Sequence, residues 1–102
     1  MVIMEISKLK KFLKIYLDSV ITPKVNRHFA SQEGYEPVTI SLYDIKPKEH
    51  LPMEMSIFLD IEPDLPSGYY VSKTISKDIK DFINSLGVKK LISIQFNRRP
   101  LY

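Results

Sequence analysis

Residues 38–62, VTISLYDIKPKEHLPMEMSIFLDIE, decide how this chain folds. Met55, Ile57, Leu59 and Ile61 alternate with Ser56, Phe58, Asp60 and Glu62. That two-residue period marks a strand with one buried face. Val38, Ile40 and Leu42 alternate with Thr39, Ser41 and Tyr43 in the same way. Only about ten residues separate the two runs, Pro47 and Pro52 among them, whereas a parallel crossover needs about a dozen or more and usually a helix. The spacing therefore predicts an antiparallel hairpin. Within it, Leu42-Tyr43-Asp44-Ile45-Lys46-Pro47 is echoed sixteen residues on by Phe58-Leu59-Asp60-Ile61-Glu62-Pro63. The echo sets inward Leu42 against outward Phe58. Either a β-bulge sits near Tyr43-Asp44 or the likeness is chemical only.

Upstream, Val2, Ile6, Leu9, Leu13, Tyr16, Leu17 and Val20 recur at three- and four-residue steps, with Lys8, Lys11, Lys14 and Asp18 opposite. This predicts an amphipathic helix. The first six residues are either its beginning or a short strand, with Ser7 then capping the helix. Thr22-Pro23 reads as an N-cap followed by proline at the first helical position. It opens a second helix, or a kinked continuation, over residues 23–32, with Val25 and Phe29 on one face and Gly34 as the stop.

Downstream, Tyr69-Tyr70-Val71 reads as a short strand. Ser76 reads as the cap of a helix that turns Ile79, Phe82, Ile83 and Leu86 to one side, with Gly87 as its C′ residue. Ile92, Ile94 and Phe96 are the inward row of a last strand.

The expected fold is α+β: an antiparallel sheet with helices packed on one face, in a single domain over residues 1–102. The element order is βαββαβ, a split βαβ arrangement, if the N-terminus is a strand, and αββαβ if it is helical. Ile6-Ser7-Lys8 and Ile75-Ser76-Lys77 each lead into a helix. Two similar halves, 1–46 and 54–97, are therefore expected, with a groove between them.

Composition narrows the chemistry. The 102 residues include no cysteine, which excludes disulfides, thiolate metal sites and cysteine nucleophiles. No apolar run approaches ~18 residues, so no membrane span is expected. The N-terminus reaches Glu5 too early for a secretory core, and a cytoplasmic protein is expected. Five Asn and Gln residues in total, no Cys or Trp and seven prolines match usage seen in thermophile proteins. The net charge of +3 is unevenly spread: residues 1–30 hold six basic and two acidic side chains, 31–70 two and eight, 71–102 seven and two.

No catalytic constellation is visible, and no enzyme activity, cofactor or metal is expected. His28 and His50 stand alone, while a zinc site needs three or four ligands. Gly34, Gly68 and Gly87 are too scattered to cradle a phosphate. Asp44 and Asp60 are expected near opposite ends of the hairpin, roughly 15 Å apart, beyond the ~5–9.5 Å of paired glycosidase carboxylates.

Two surfaces remain. Tyr43, Phe58, Tyr69 and Tyr70 are candidates for a partner-binding surface, because tyrosine combines apolar area with a hydroxyl. Lys8, Lys11, Lys14 and Lys77 are candidates for binding nucleic acid, especially if they merge with Lys89, Lys90, Arg98 and Arg99. The αββ…αβ order distantly resembles KH-type domains, but their GXXG backbone clamp is missing.

In length, in richness of Ile, Lys and Tyr, and in lack of cysteine, the whole chain resembles small orphan proteins of the filamentous viruses that infect Acidianus and related hyperthermophilic archaea. No specific motif carries this resemblance, so it assigns no functional residue. It implies a viral protein working in a host cytoplasm, where interaction roles are commoner than metabolic ones. The expected function is non-enzymatic protein–protein interaction, capturing an extended peptide in the groove between the halves. Nucleic-acid binding through the helix lysines is the alternative.

Overall fold

The computed structural model describes residues 5–48, 51–88 and 91–96. Their order is α1 (Ile6–Tyr16), a first π-helical turn (Leu17–Ile21), α2 (Thr22–Phe29), β1 (Thr39–Lys48), β2 (Leu51–Glu62), a second π turn (Val71–Ile75), α3 (Ser76–Ser85) and β3 (Leu91–Phe96). Among the described residues this is αββαβ. Ile6 opens α1 and Glu5 before it is not in a strand, while residues 1–4 of the strand alternative lie outside the described residues. The fold is α+β, and its three-stranded sheet is mixed. β1 and β2 pair antiparallel, whereas β3 runs parallel to β2. The helical segment from Tyr69 to Ser85 supplies the crossover a parallel pair requires.

The hairpin is the antiparallel one the alternation predicts, and of the two readings of the echo the bulge is the one present. Leu42 faces Leu59 and Asp44 faces Phe58, leaving Tyr43 as the extra residue. The bulge switches which parity points inward. Val38 and Ile40 are buried before it, Ile45 after it, and Leu42 is half-buried. The same slip corrects the expected distance between the two aspartates. Asp44 lies opposite Phe58, two residues from Asp60, so they are diagonal neighbours with Cα atoms ~7–8 Å apart rather than at opposite ends.

Both helical runs are continuous through their π turns, and the reason lies in the spacing of their buried residues. Leu9, Leu13, Leu17, Ile21, Val25 and Phe29 are all buried, at steps of four. So are Val71, Ile75, Ile79 and Ile83. A strict four-residue step drifts about 40° per step on a helix of 3.6 residues per turn. From Leu9 to Phe29 the drift would total about 200° and carry Phe29 to the far side. A π turn holds an extra residue and rotates the stripe back.

Several expectations change as a result. Ile21 is buried in place of Val20, which is 43% exposed. Tyr69 and Tyr70 begin a helix, not a strand. Neither expected cap sits at a free helix end. The Ser76 hydroxyl donates to the Val71 carbonyl five residues back (3.2 Å), and Thr22 turns to the sheet. Gly87, at φ 88°, ends α3 as expected.

The helices and the inner face of the sheet share one core, with Met55, Ile57 and Leu59 at 1%, 0% and 0% exposure along β2. The other face carries exposed Ser93 and Gln95, half-buried Phe58 and Asp60, and buried Ser56. What the described parts of 1–46 and 54–97 have in common is a π turn that runs on into an α-helix, at Ile21-Thr22 and at Ile75-Ser76. The Ile-Ser-Lys echo marks different places, the first turn of α1 and the end of a π turn.

Candidate interaction site: the two sheet edges and the uncovered face

The outer edge of β1 is closed by side chains of α2. Thr22 Oγ1 accepts from the Ile40 N–H (3.1 Å) and donates to the Ile40 carbonyl (3.3 Å). Asn26 does the same for Val38: Oδ1 accepts from its N–H (2.8 Å) and Nδ2 donates to its carbonyl (2.9 Å). The spacing makes this possible. Four residues of helix rise ~6 Å and two residues of strand ~6.6 Å, so side chains one turn apart meet alternate strand residues. Two side chains thus stand in for a neighbouring strand. The Tyr35 hydroxyl donates to Asn26 Oδ1 and fixes the amide. Beyond the bulge, Lys10 Nζ lies 3.0 Å from Asp44 Oδ1, and the Ile45 N–H donates to the same carboxylate (2.8 Å). The Lys10 hydrogen bond and then the Ile45 amide hold the Asp44 carboxyl below the ordinary carboxylate value.

The edge of β3 has none of this. Leu91-Ile92-Ser93-Ile94-Gln95-Phe96 contains no charge, proline or glycine, and among the described residues β3 is the end strand of the sheet, paired with β2 alone. Its helix-side row, Ile92, Ile94 and Phe96, is half-buried, although the β2 residues beside it are fully buried. These three side chains pack against the core yet stay partly open, and form an apolar lip. On the other face, Leu91 is 69% exposed. Ser93 Oγ is 3.1 Å from Ser56 Oγ, which holds the strand to β2.

The sequence-predicted tyrosine surface divides in two. Tyr43, half exposed at the bulge, and Phe58 are neighbours on the hairpin. Phe58 is half-buried, with Lys46 Nζ 5.7 Å from its ring centroid. Tyr69 and Tyr70 belong to the helical layer. Tyr69 is exposed, with Lys73 Nζ 5.9 Å from its ring. Tyr70 stacks on His28 with centroids 3.6 Å apart. A single surface through all four is not formed.

The predicted lysine surface is also divided. Lys8, Lys11 and Lys14 are exposed along α1, but Lys77 is held by Asp81 at 2.7 Å, which raises the lysine's pKa. Asp78 binds Lys24. Asp78 and Asp81 both bear on Tyr16, whose hydroxyl is pushed up first by burial and then by the Asp78 charge. Tyr16 stacks on Phe82 of α3 at 4.0 Å, so these acidic groups stand where α1 meets α3. Lys89, Lys90, Arg98 and Arg99 lie outside the described residues.

The seam between residues 1–46 and 54–97 is occupied. On the sheet side it is the β1–β2 ladder, and on the helix side the Lys24–Asp78 and Tyr16–Phe82 contacts. Among the described residues, no group of three or more acidic or histidine side chains is placed to hold a metal ion, and His50 lies outside them. No described helix is long and apolar enough to cross a membrane.

Sequence reasoning missed the β3 edge and the two side chains, Thr22 and Asn26, that close the β1 edge. Its available signal was the uncharged run from Leu91 to Phe96, beside two strands that carry Asp44, Lys46, Glu54, Asp60 and Glu62. No protein-family model, curated protein or solved structure matches the chain.

Proposed function

We propose that the chain is a non-enzymatic protein–protein interaction module that takes an extended partner segment alongside β3. One observation carries this reading: an uncharged six-residue edge strand beside an apolar lip, in a sheet whose other edge is closed. Unpaired main-chain groups on such an edge offer hydrogen bonds to an added strand, and alternate side chains supply selectivity. Phe58 and Tyr43 extend the contact across the other face toward the hairpin. The resemblance to small viral proteins supports a working place in a host cytoplasm.

Selection of displayed extended peptides against the full chain tests this, followed by hydrogen exchange with and without the best binder. Selected peptides should alternate apolar and small polar residues, and added protection should fall on the amides of residues 91–96. Protection confined to α1 would refute the assignment. The exposed lysines of α1 favour the nucleic-acid alternative. For it to hold, wild-type protein must be retained on DNA or RNA at about 150 mM salt, and retention must vanish when Lys8, Lys11 and Lys14 become Glu.

A further inference from the structure

We infer that the segment docking on β3 is β3 of a second copy, paired antiparallel across a twofold axis perpendicular to the sheet. The inference rests on the strand-edge reading above and names its partner.

The edge prescribes its occupant. On the helix side an added strand must bring apolar side chains to complete the lip formed by Ile92, Ile94 and Phe96. On the other side it must be neutral, because Leu91, Ser93 and Gln95 offer nothing to pair with a charge. β3 is itself such a strand. A twofold perpendicular to the sheet keeps both helical layers on one side. Each apolar row then meets its own copy, and Leu91, Ser93 and Gln95 meet theirs. A joint of this kind is self-complementary, as an isologous interface must be.

The other two strands fit less well, since β1 brings Asp44 and Lys46 and β2 brings Glu54, Asp60 and Glu62. The product is one continuous six-stranded sheet with the half-buried row of β3 at its centre. Six residues of strand span only ~20 Å, and such a joint buries less than the ~1,200–2,000 Å² of a standard stable interface. The dimer is therefore weak and depends on concentration.

The test is sedimentation of the full chain from micromolar to about millimolar concentration. Wild type should pass from one chain mass to twice that mass. L91K/Q95K and L91E/Q95E should each stay at one chain mass, because the like charges lie directly opposite each other if Ser93 faces Ser93 and diagonally opposite if Ile94 faces Ile94. An equal mixture of the two variants should recover the doubled mass. Both positions are exposed, so the variants should melt within a few degrees of wild type, which separates lost pairing from lost folding. A wild type that stays at one chain mass throughout overturns the inference. So does an L91K/Q95K variant that doubles as wild type does. If a monomeric wild type nonetheless protects residues 91–96 on binding a selected peptide, the second copy is refuted while the strand-edge function stands.

Discussion

Along β1, the outward groups of Val38 and Ile40 end on Asn26 and Thr22, and further on a bulge and the Lys10–Asp44 pair break the line of the strand. Along β3, no bulge, proline or charge interrupts six consecutive residues, and the helix-side row is left half open. Edge strands invite unwanted pairing, and folds usually blunt them. Here one edge is blunted three times over and, among the described residues, the other not at all. The contrast is the observation on which the proposed use of the β3 edge rests.

The largest expected effect compares the centre of the sheet with its open lip. Ile57 is fully buried, whereas its β2–β3 partner Ile94 is half-buried. Ile57→Ala should cost about 3–4 kcal/mol by chemical denaturation, from lost burial and the cavity left behind. Ile94→Ala should cost about 1 kcal/mol in the monomer, because part of its surface already faces water. Equal losses at the two positions would mean that something covers β3 within the chain, and the comparison would collapse.

Next come the guards. Asn26→Leu leaves the Val38 N–H and carbonyl and the Tyr35 hydroxyl without their partner, at about 2–3 kcal/mol. Thr22→Val keeps the shape and removes both bonds to Ile40, at about 1–2 kcal/mol. Amide exchange should accelerate at Val38 in the first and at Ile40 in the second. If α2 only shields these amides sterically, neither rate will change and the guard is not a hydrogen-bonding device.

How much of this could be read beforehand depended on the period of each segment. The hairpin was legible because strand alternation has a period of two; the bulge was one of two readings of the echo, and only the strand register, in which a single extra residue flips the faces, decides between them. The α+β class and the inward row of β3 followed from the same alternation. The parallel direction of β3 was not legible, since alternation looks identical in both directions. The π turns are hidden because apolar spacing on a helix of 3.6 residues per turn favours Val20 over Ile21. Thr22 and Ser76 looked like caps because Thr and Ser accept backbone N–H bonds at helix starts. The same hydroxyls serve equally well toward a strand edge or a π-turn carbonyl, and only packing decides. Tyr69-Tyr70-Val71 has strand-forming residues, yet Val71 belongs to a buried four-step stripe that overrides their preference. The β3 edge is not legible in the sequence because an edge is a property of the assembled sheet, not of any one segment.

The smallest expected effect concerns the third element of the β1 guard, and it depends on pH. Asp44 takes a charged hydrogen bond from Lys10 and a neutral one from the Ile45 amide, and both hold its folded pKa below the ordinary value. An acid with a depressed folded pKa binds its proton more readily in the unfolded chain. Its contribution is therefore complete above the unfolded value of about 3.9 and disappears as pH falls through the lower folded value. Asp44→Asn removes the charge while keeping an oxygen for the Ile45 amide. Denaturation midpoints followed from neutral to strongly acidic pH should fall less steeply in this variant than in wild type, with a small loss at neutrality. Lys10→Gln should flatten the curve only in part, because the Ile45 bond remains. Added salt should shrink the Lys10 share at neutral pH, since both side chains reach solvent. If Lys10→Gln reproduces the whole Asp44→Asn effect, the amide contributes nothing. The bulge would then be a consequence of the ion pair and not a guard in its own right.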